Sequence, residues 1–164
     1  MTIAKKLGYT LAIAAVSSLP FGAQAMKNSI NIAMTLEPPG LDPRANAAAA
    51  IGQIALYNIY ENLVHINQDA TFSPMLAKSW SISADGLVYT FNLLKGVKFH
   101  DGHSLTAEDV QFSIMDVAKV THPRGPNTFR SVTKIDTPDS HTVVLNLDKP
   151  APYMMMAFSG YETP

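Results

Sequence analysis

Leu76 to Val110 reads LAKSWSISADGLVYTFNLLKGVKFHDGHSLTAEDV, a run in which one short pattern hands over to the next. Trp80 and Ile82 alternate with Ser79, Ser81 and Ser83, which is the period of a strand with one apolar face. Ala84-Asp85-Gly86 interrupts the alternation with a turn, where glycine takes the positive φ that a side chain resists. Leu87, Tyr89, Phe91 and Leu93 then alternate with Val88, Thr90, Asn92 and Leu94, so a longer strand returns along the first. Lys95-Gly96 turns the chain again. Val97 and Phe99 alternate with Lys98 and His100, and Asp101-Gly102 closes that short strand. Thr106 is placed to cap a helix whose first turn holds Glu108 and Asp109, where carboxylates meet the positive end of the helix dipole. The stretch is a hairpin module that feeds a helix.

The flanks extend this plan. Ala107 to Lys119 is predicted helical, with Val110, Ile114, Val117 and Ala118 on one stripe and Phe112 off it. Thr121 to Asn127, with Pro123, Gly125 and Pro126, reads as a loop. Ser131 to Asp136 and Thr142 to Leu147 form a second hairpin around Thr137-Pro138-Asp139-Ser140, and Tyr153 to Phe158 is a final short helix opened by Pro150 and Pro152. On the other side, Ser29 to Thr35 alternates Ile30, Ile32 and Met34 and is predicted to be a strand, ended by Glu37-Pro38-Pro39-Gly40. Ala45 to about Asn62 is predicted to be a helix, with Ile51, Ile54, Ala55 and Ile59 near one face. The expected architecture is a small antiparallel sheet with helices at one side, preceded by a lone strand and helix.

Composition bounds the function. The chain has 164 residues, 47% hydrophobic and 15% charged, with a formal net charge of −1. That is ordinary globular composition without the basic footprint of a nucleic-acid binder. Residues 1–25 read as an export signal. Lys5 and Lys6 form a positive start, Leu11 to Val16 a short apolar centre, and Ala23-Gln24-Ala25 a small-residue cleavage site with the cut after Ala25. The apolar run is too short for an ordinary membrane span. With no cysteine in the chain, neither a disulfide nor thiol lipidation is available, so the expected product is a periplasmic protein without a membrane anchor.

Several constellations suggest chemistry and are better explained otherwise. His100-Asp101-Gly102-His103 offers two imidazoles and a carboxylate, but Asp101-Gly102 is turn chemistry and His65, His122 and His141 are scattered. His103, Asp109 and Ser113 lack any nucleophile elbow, and Ser113 lies inside the predicted helix. Met154-Met155-Met156 is a pliable apolar run that reads as core packing. No cofactor, metal or catalytic residue is expected.

The motifs LAKSW, S-x-DGL-x-YTF-x-L, GVKFHDG and LTAEDV-x-FS, in this order between Leu76 and Ser113, resemble the signature of the family 5 extracytoplasmic solute-binding proteins. These are the peptide, oligopeptide and nickel receptors of ABC importers. Leu41-Asp42-Pro43 and Tyr60-Glu61-Asn62-Leu63-Val64 resemble further segments of that family. The resemblance implies an α/β fold of the type II periplasmic-binding-protein kind, α+β in this part. It implies residues 26–59 as the first strand and helix of lobe I, 60–158 as a sheet-and-helix subdomain, and 159–164 as an end short of the second lobe. It further implies a small peptide as solute and an ABC permease as partner, with Glu37 and Pro38 near the ligand cleft and Tyr161 near its wall. A nickel or other solute receptor, or an interaction module derived from such a receptor, is the alternative.

Overall fold

A computed structural model describes residues 29–160, so the cleavage site at Ala25 and the wall residue Tyr161 lie outside the described residues. The chain divides between Ala33 and Met34 into two units. In the first, the described residues 29–33 carry no regular structure, and Ile30 and Ile32 are 82% and 76% exposed. The strand expected over Ser29 to Thr35 is therefore not formed: among the described residues no ladder includes it. An alternating strand is stable only when a neighbouring strand takes its N–H and C=O groups, and here none does.

The second unit holds the fold. Helix α1 (Ala49–Ala55) is followed by a two-stranded ribbon of β1 (Val64–Ile66) and β2 (Phe72–Pro74). A four-stranded antiparallel sheet runs in the order β3-β4-β6-β5, with β3 Ala77–Ile82, β4 Val88–Leu93, β5 Val132–Asp139 and β6 Thr142–Leu147. Both predicted hairpins are present, and the first turn closes as its residues require. Gly86 has φ +70°, its N–H donates to the Ser83 carbonyl, and the Asp85 carboxylate accepts from the Ser83 hydroxyl and the Leu87 amide.

The alternation of the central strands becomes the core. Tyr89, Phe91 and Leu93 of β4 and Val143, Leu145 and Leu147 of β6 are all buried, whereas Thr90, Asn92, Val144 and Asn146 face the other side half-buried. Phe91 sits opposite Trp80 on one side and Val143 on the other, and packs edge-on against Phe158 at 5.1 Å. Tyr89 donates its hydroxyl to the Ala151 carbonyl, and burial pushes the phenol pKa up.

The apolar face is covered by a helical stretch made of α2 (Ala107–Phe112), a π-helical turn (Ser113–Ala118) and α3 (Lys119–Thr121). Its start is a capping box in which Asp109 Oδ2 accepts from both the amide and the hydroxyl of Thr106. Of the predicted stripe, Val110, Ile114 and Ala118 are buried in the core and Val117 is half-buried, and Ala107 is buried beside them. Gln111 donates to the Ile135 carbonyl and Lys119 to that of Val132, so helix side chains occupy backbone acceptors on the edge strand β5.

Three local expectations are corrected. The first helix stops at Ala55 instead of about Asn62, because Tyr57 takes a left-handed φ of 61° and its hydroxyl donates to the Ser159 carbonyl. The strand expected around Val97 and Phe99 shrinks to a single bridge, Lys98 to Ser104, closed by the Phe99–His103 and Leu105–Val97 backbone bonds. The expected loop over Thr121 to Asn127 contains a short helix α4 (Gly125–Thr128). That helix turns tightly against its predecessor: a Cβ on Gly125 would lie 1.7 Å from the Ala118 carbonyl oxygen. The last helix, α5 (Met154–Ala157), falls inside its expected span, with Met154 and Met155 buried and Met156 exposed.

Candidate functional site

The helical stretch, the segment after α1 and the turn around Asp101 enclose a groove of about 850 Å³ within the second unit. Each wall has a local cause. Asn58 donates its side-chain amide to the Ile54 carbonyl and Asn62 donates to the Gly160 carbonyl, which holds the 57–62 segment in an open course beside α1. The narrow ribbon over 97–105 is bent at Gly102, with φ +91°. Val110, Ser113, Ile114 and Val117 supply the helical wall, three of them from the π-helical turn. Such turns occur often beside functional sites because they alter the helix surface locally.

The groove is apolar with charged residues at its edges. Leu63, Leu76, Leu105 and Phe158 belong to its lining, together with Ile59, Tyr60, Phe99 and Phe112. Phe112 is 60% exposed and Phe99 45%. Of the charged groups at its lining, Arg44, Asp101 and Asp109 are engaged locally, while Glu61 and Lys98 belong to the lining as well. Arg44 makes a 2.7 Å bond to Asp42, Asp101 accepts the His103 amide at 2.9 Å, and Asp109 serves the capping box. The Arg44 guanidinium holds the Asp42 carboxyl below its usual range. Size and apolar lining match what a small ligand or a packing polypeptide segment needs.

The residues singled out in sequence fall differently. Glu37 is exposed and Pro38 half-buried in a segment without regular structure, and neither lines the groove. His100, Asp101 and His103 are exposed and line it together, in a turn closed by Asp101 itself. Ile59, Tyr60 and Phe99 were missed as groove residues because they were assigned to a helix face and a strand. Phe112 carried a signal: a large aromatic off the buried stripe of an amphipathic helix has to face something else.

Comparison with known proteins supplies the wider setting. The family model for bacterial extracellular solute-binding proteins, family 5 (middle part), matches residues 71–164. The di/tripeptide-binding protein 2 of Pseudomonas aeruginosa is 35% identical over 107 residues, covering 61% of this chain and 20% of that protein. Heme-binding protein A of Haemophilus influenzae is 32% identical over 150 residues, covering 77% of this chain and 27% of that protein. Among solved structures, the periplasmic binding protein AgaA of A. tumefaciens R10, in complex with agropinic acid, superposes with a TM-score of 0.65 at 33% identity. That match covers 77% of this chain and 26% of AgaA. The chain thus spans between a fifth and about a quarter of the length of these relatives.

Proposed function

We propose the function of this chain from the premise those matches supply: it belongs to the bacterial extracellular solute-binding proteins, family 5. We read it as the N-terminal part of the substrate-binding component of an ABC importer for a short peptide, acting in the periplasm beside an inner-membrane permease. The observation that carries the reading is the family match itself, which falls on the folded sheet and its covering helix, from the turn before β2 onward.

Peptide is the favoured solute because a relative named for di- and tripeptides is 35% identical to this chain. Proteins named for heme or solved with agropinic acid also match most of this chain, so in this reading the sheet serves as a scaffold and the solute is chosen by other residues. In this reading the segment bearing Glu37 and Pro38, with Tyr161, meets the peptide. Main-chain hydrogen bonds of the strand-addition kind hold a peptide without regard to its side chains. Closure of two lobes about a hinge completes the grip, and this chain contributes part of one lobe.

A graft tests the reading. Residues 34–160 replace the matching portion of the Pseudomonas di/tripeptide-binding protein, and a dipeptide is titrated by calorimetry. Retained binding, weakened by Glu37→Ala, is the expected result. A graft that unfolds cooperatively yet binds no dipeptide would remove peptide reception from the account. The 164-residue chain alone is expected to bind no dipeptide, and micromolar binding by it would contradict the division of the site between this chain and further polypeptide.

A further inference from the structure

Four large apolar side chains of the groove, Phe112, Phe99, Ile59 and Tyr60, are 60%, 45%, 38% and 38% exposed. So many together in water mark a surface that meets another molecule. The charged groups of the lining are of two kinds. Arg44, Asp101 and Asp109 are engaged by Asp42, by the turn and by the helix cap. The side chains of Glu61 and Lys98 are exposed and, among the described residues, make no hydrogen bond or ion pair. They come from different walls, Glu61 from the 57–62 segment and Lys98 from the 97–105 ribbon. His100 and His103 line the groove too, and an imidazole offers both donor and acceptor, so they favour neither sign.

We infer that the groove is a pairing surface for a second copy of this chain, about a two-fold axis that sets Glu61 of each copy against Lys98 of the other. A two-fold contact joins one patch to itself, so the patch needs both members of every complementary pair. This patch has them: an outward-standing Phe112 beside a depression, and one uncommitted carboxylate with one uncommitted ammonium. Phe112 of one copy enters the depression of its partner, and the same contact is made in return. The apolar contacts carry the affinity, and the two Glu61–Lys98 pairs fix the register. A ligand of single charge, by contrast, meets one attracting group and one repelling group. Glu37 and Pro38 lie outside this lining, so the inference goes beyond the solute reading and is independent of which solute is carried.

Sedimentation equilibrium of the chain over a range of concentrations reads the pairing directly. A monomer–dimer equilibrium is expected, weakened at least about tenfold by Phe112→Ser and by either Glu61→Lys or Lys98→Glu, since each charge change sets like charges face to face twice. Mixing the two charge variants in equal amounts restores the dimer, and so does combining both changes in one chain. All three positions are exposed, so each variant keeps the wild-type urea midpoint, which checks that the fold is intact. Association through residues 1–25 is the same in every variant and does not follow this pattern. A chain that stays monomeric to about 1 mM overturns the inference, as does a dimer indifferent to the charge changes. So does a monomer that takes up a dipeptide or an apolar dye and loses it with Phe112→Ser, because the groove then serves a small molecule. A dipeptide-binding graft beside a monomeric chain counts against pairing alone. A paired chain beside a graft that binds no dipeptide counts against the peptide reading alone.

Discussion

Val88–Leu93 and Ser29 to Thr35 both alternate large apolar residues with polar or small ones, yet only the first is a strand. In β4 the apolar set is Tyr89, Phe91 and Leu93, and every member is buried between two flanking strands and beneath a helix. Ile30 and Ile32 have the same spacing and stand 82% and 76% exposed, with no ladder among the described residues. The difference lies in the surroundings. Alternation says which side of a strand would be buried, but backbone partners and an opposing apolar layer determine whether burial happens.

That contrast can be broken or sharpened by mutation, beginning where the effect is largest. Phe91→Ala removes a fully buried ring that touches Phe158, and it is expected to cost about 3–5 kcal/mol in a urea unfolding curve followed by Trp80 fluorescence. Gly125→Ala places a methyl group 1.7 Å from the Ala118 carbonyl oxygen. Backbone must move to admit it, so a loss of about 1–3 kcal/mol is expected in the same assay. Thr106→Ala dismantles the capping box and should cost about 1 kcal/mol, with helical circular dichroism changing little.

Acid gives a smaller effect with a defined sign. Asp85 has its pKa lowered by the Ser83 hydroxyl and the Leu87 amide, and Asp139 by the His141 amide and the Thr142 hydroxyl. Both carboxylates are favoured in their charged form by the hairpin turns. Their stabilisation is therefore complete above the ordinary carboxylate pKa of about 3.9 and is lost as pH falls through the lowered folded values. Unfolding midpoints should hold steady from neutral pH to about pH 5 and then fall, less steeply in the double variant Asp85→Asn, Asp139→Asn. At the far end of the comparison, Ile30→Ser with Ile32→Ser should change stability by no more than about 0.5 kcal/mol.

How much was legible in sequence follows the range of the interactions involved. The turn at Asp85-Gly86 and the cap at Thr106 rest on contacts within a few residues and formed where those residues pointed, whereas the second hairpin formed with its turn moved from Thr137–Ser140 to Ser140-His141, since β5 runs on to Asp139. The end of α1 was not legible, because Tyr57 leaves the helix to reach the Ser159 carbonyl, 102 residues along the chain. The short strand at Val97 was lost for a related reason: Lys98 finds one bridge partner, Ser104, and no sheet neighbour. For the groove, local pattern marked only Phe112. Ile59 and Tyr60 come to it from a segment held by the distant Gly160 through Asn62, and Phe99 from a narrow ribbon closed on itself by the Phe99–His103 and Leu105–Val97 bonds. The proposed ligand-facing residues Glu37 and Pro38 were drawn from family resemblance and lie apart from the groove, so sequence pattern and cavity point to different surfaces.

Amide hydrogen exchange along the whole chain tests the central contrast most directly. The account predicts that the amides of β4 and β6 exchange slowly and together, through one cooperative opening, while those of Ile30 and Ile32 exchange at the rate of an unstructured peptide. Protection at Ile32 matching that at Phe91, or free exchange at Phe91, would contradict it.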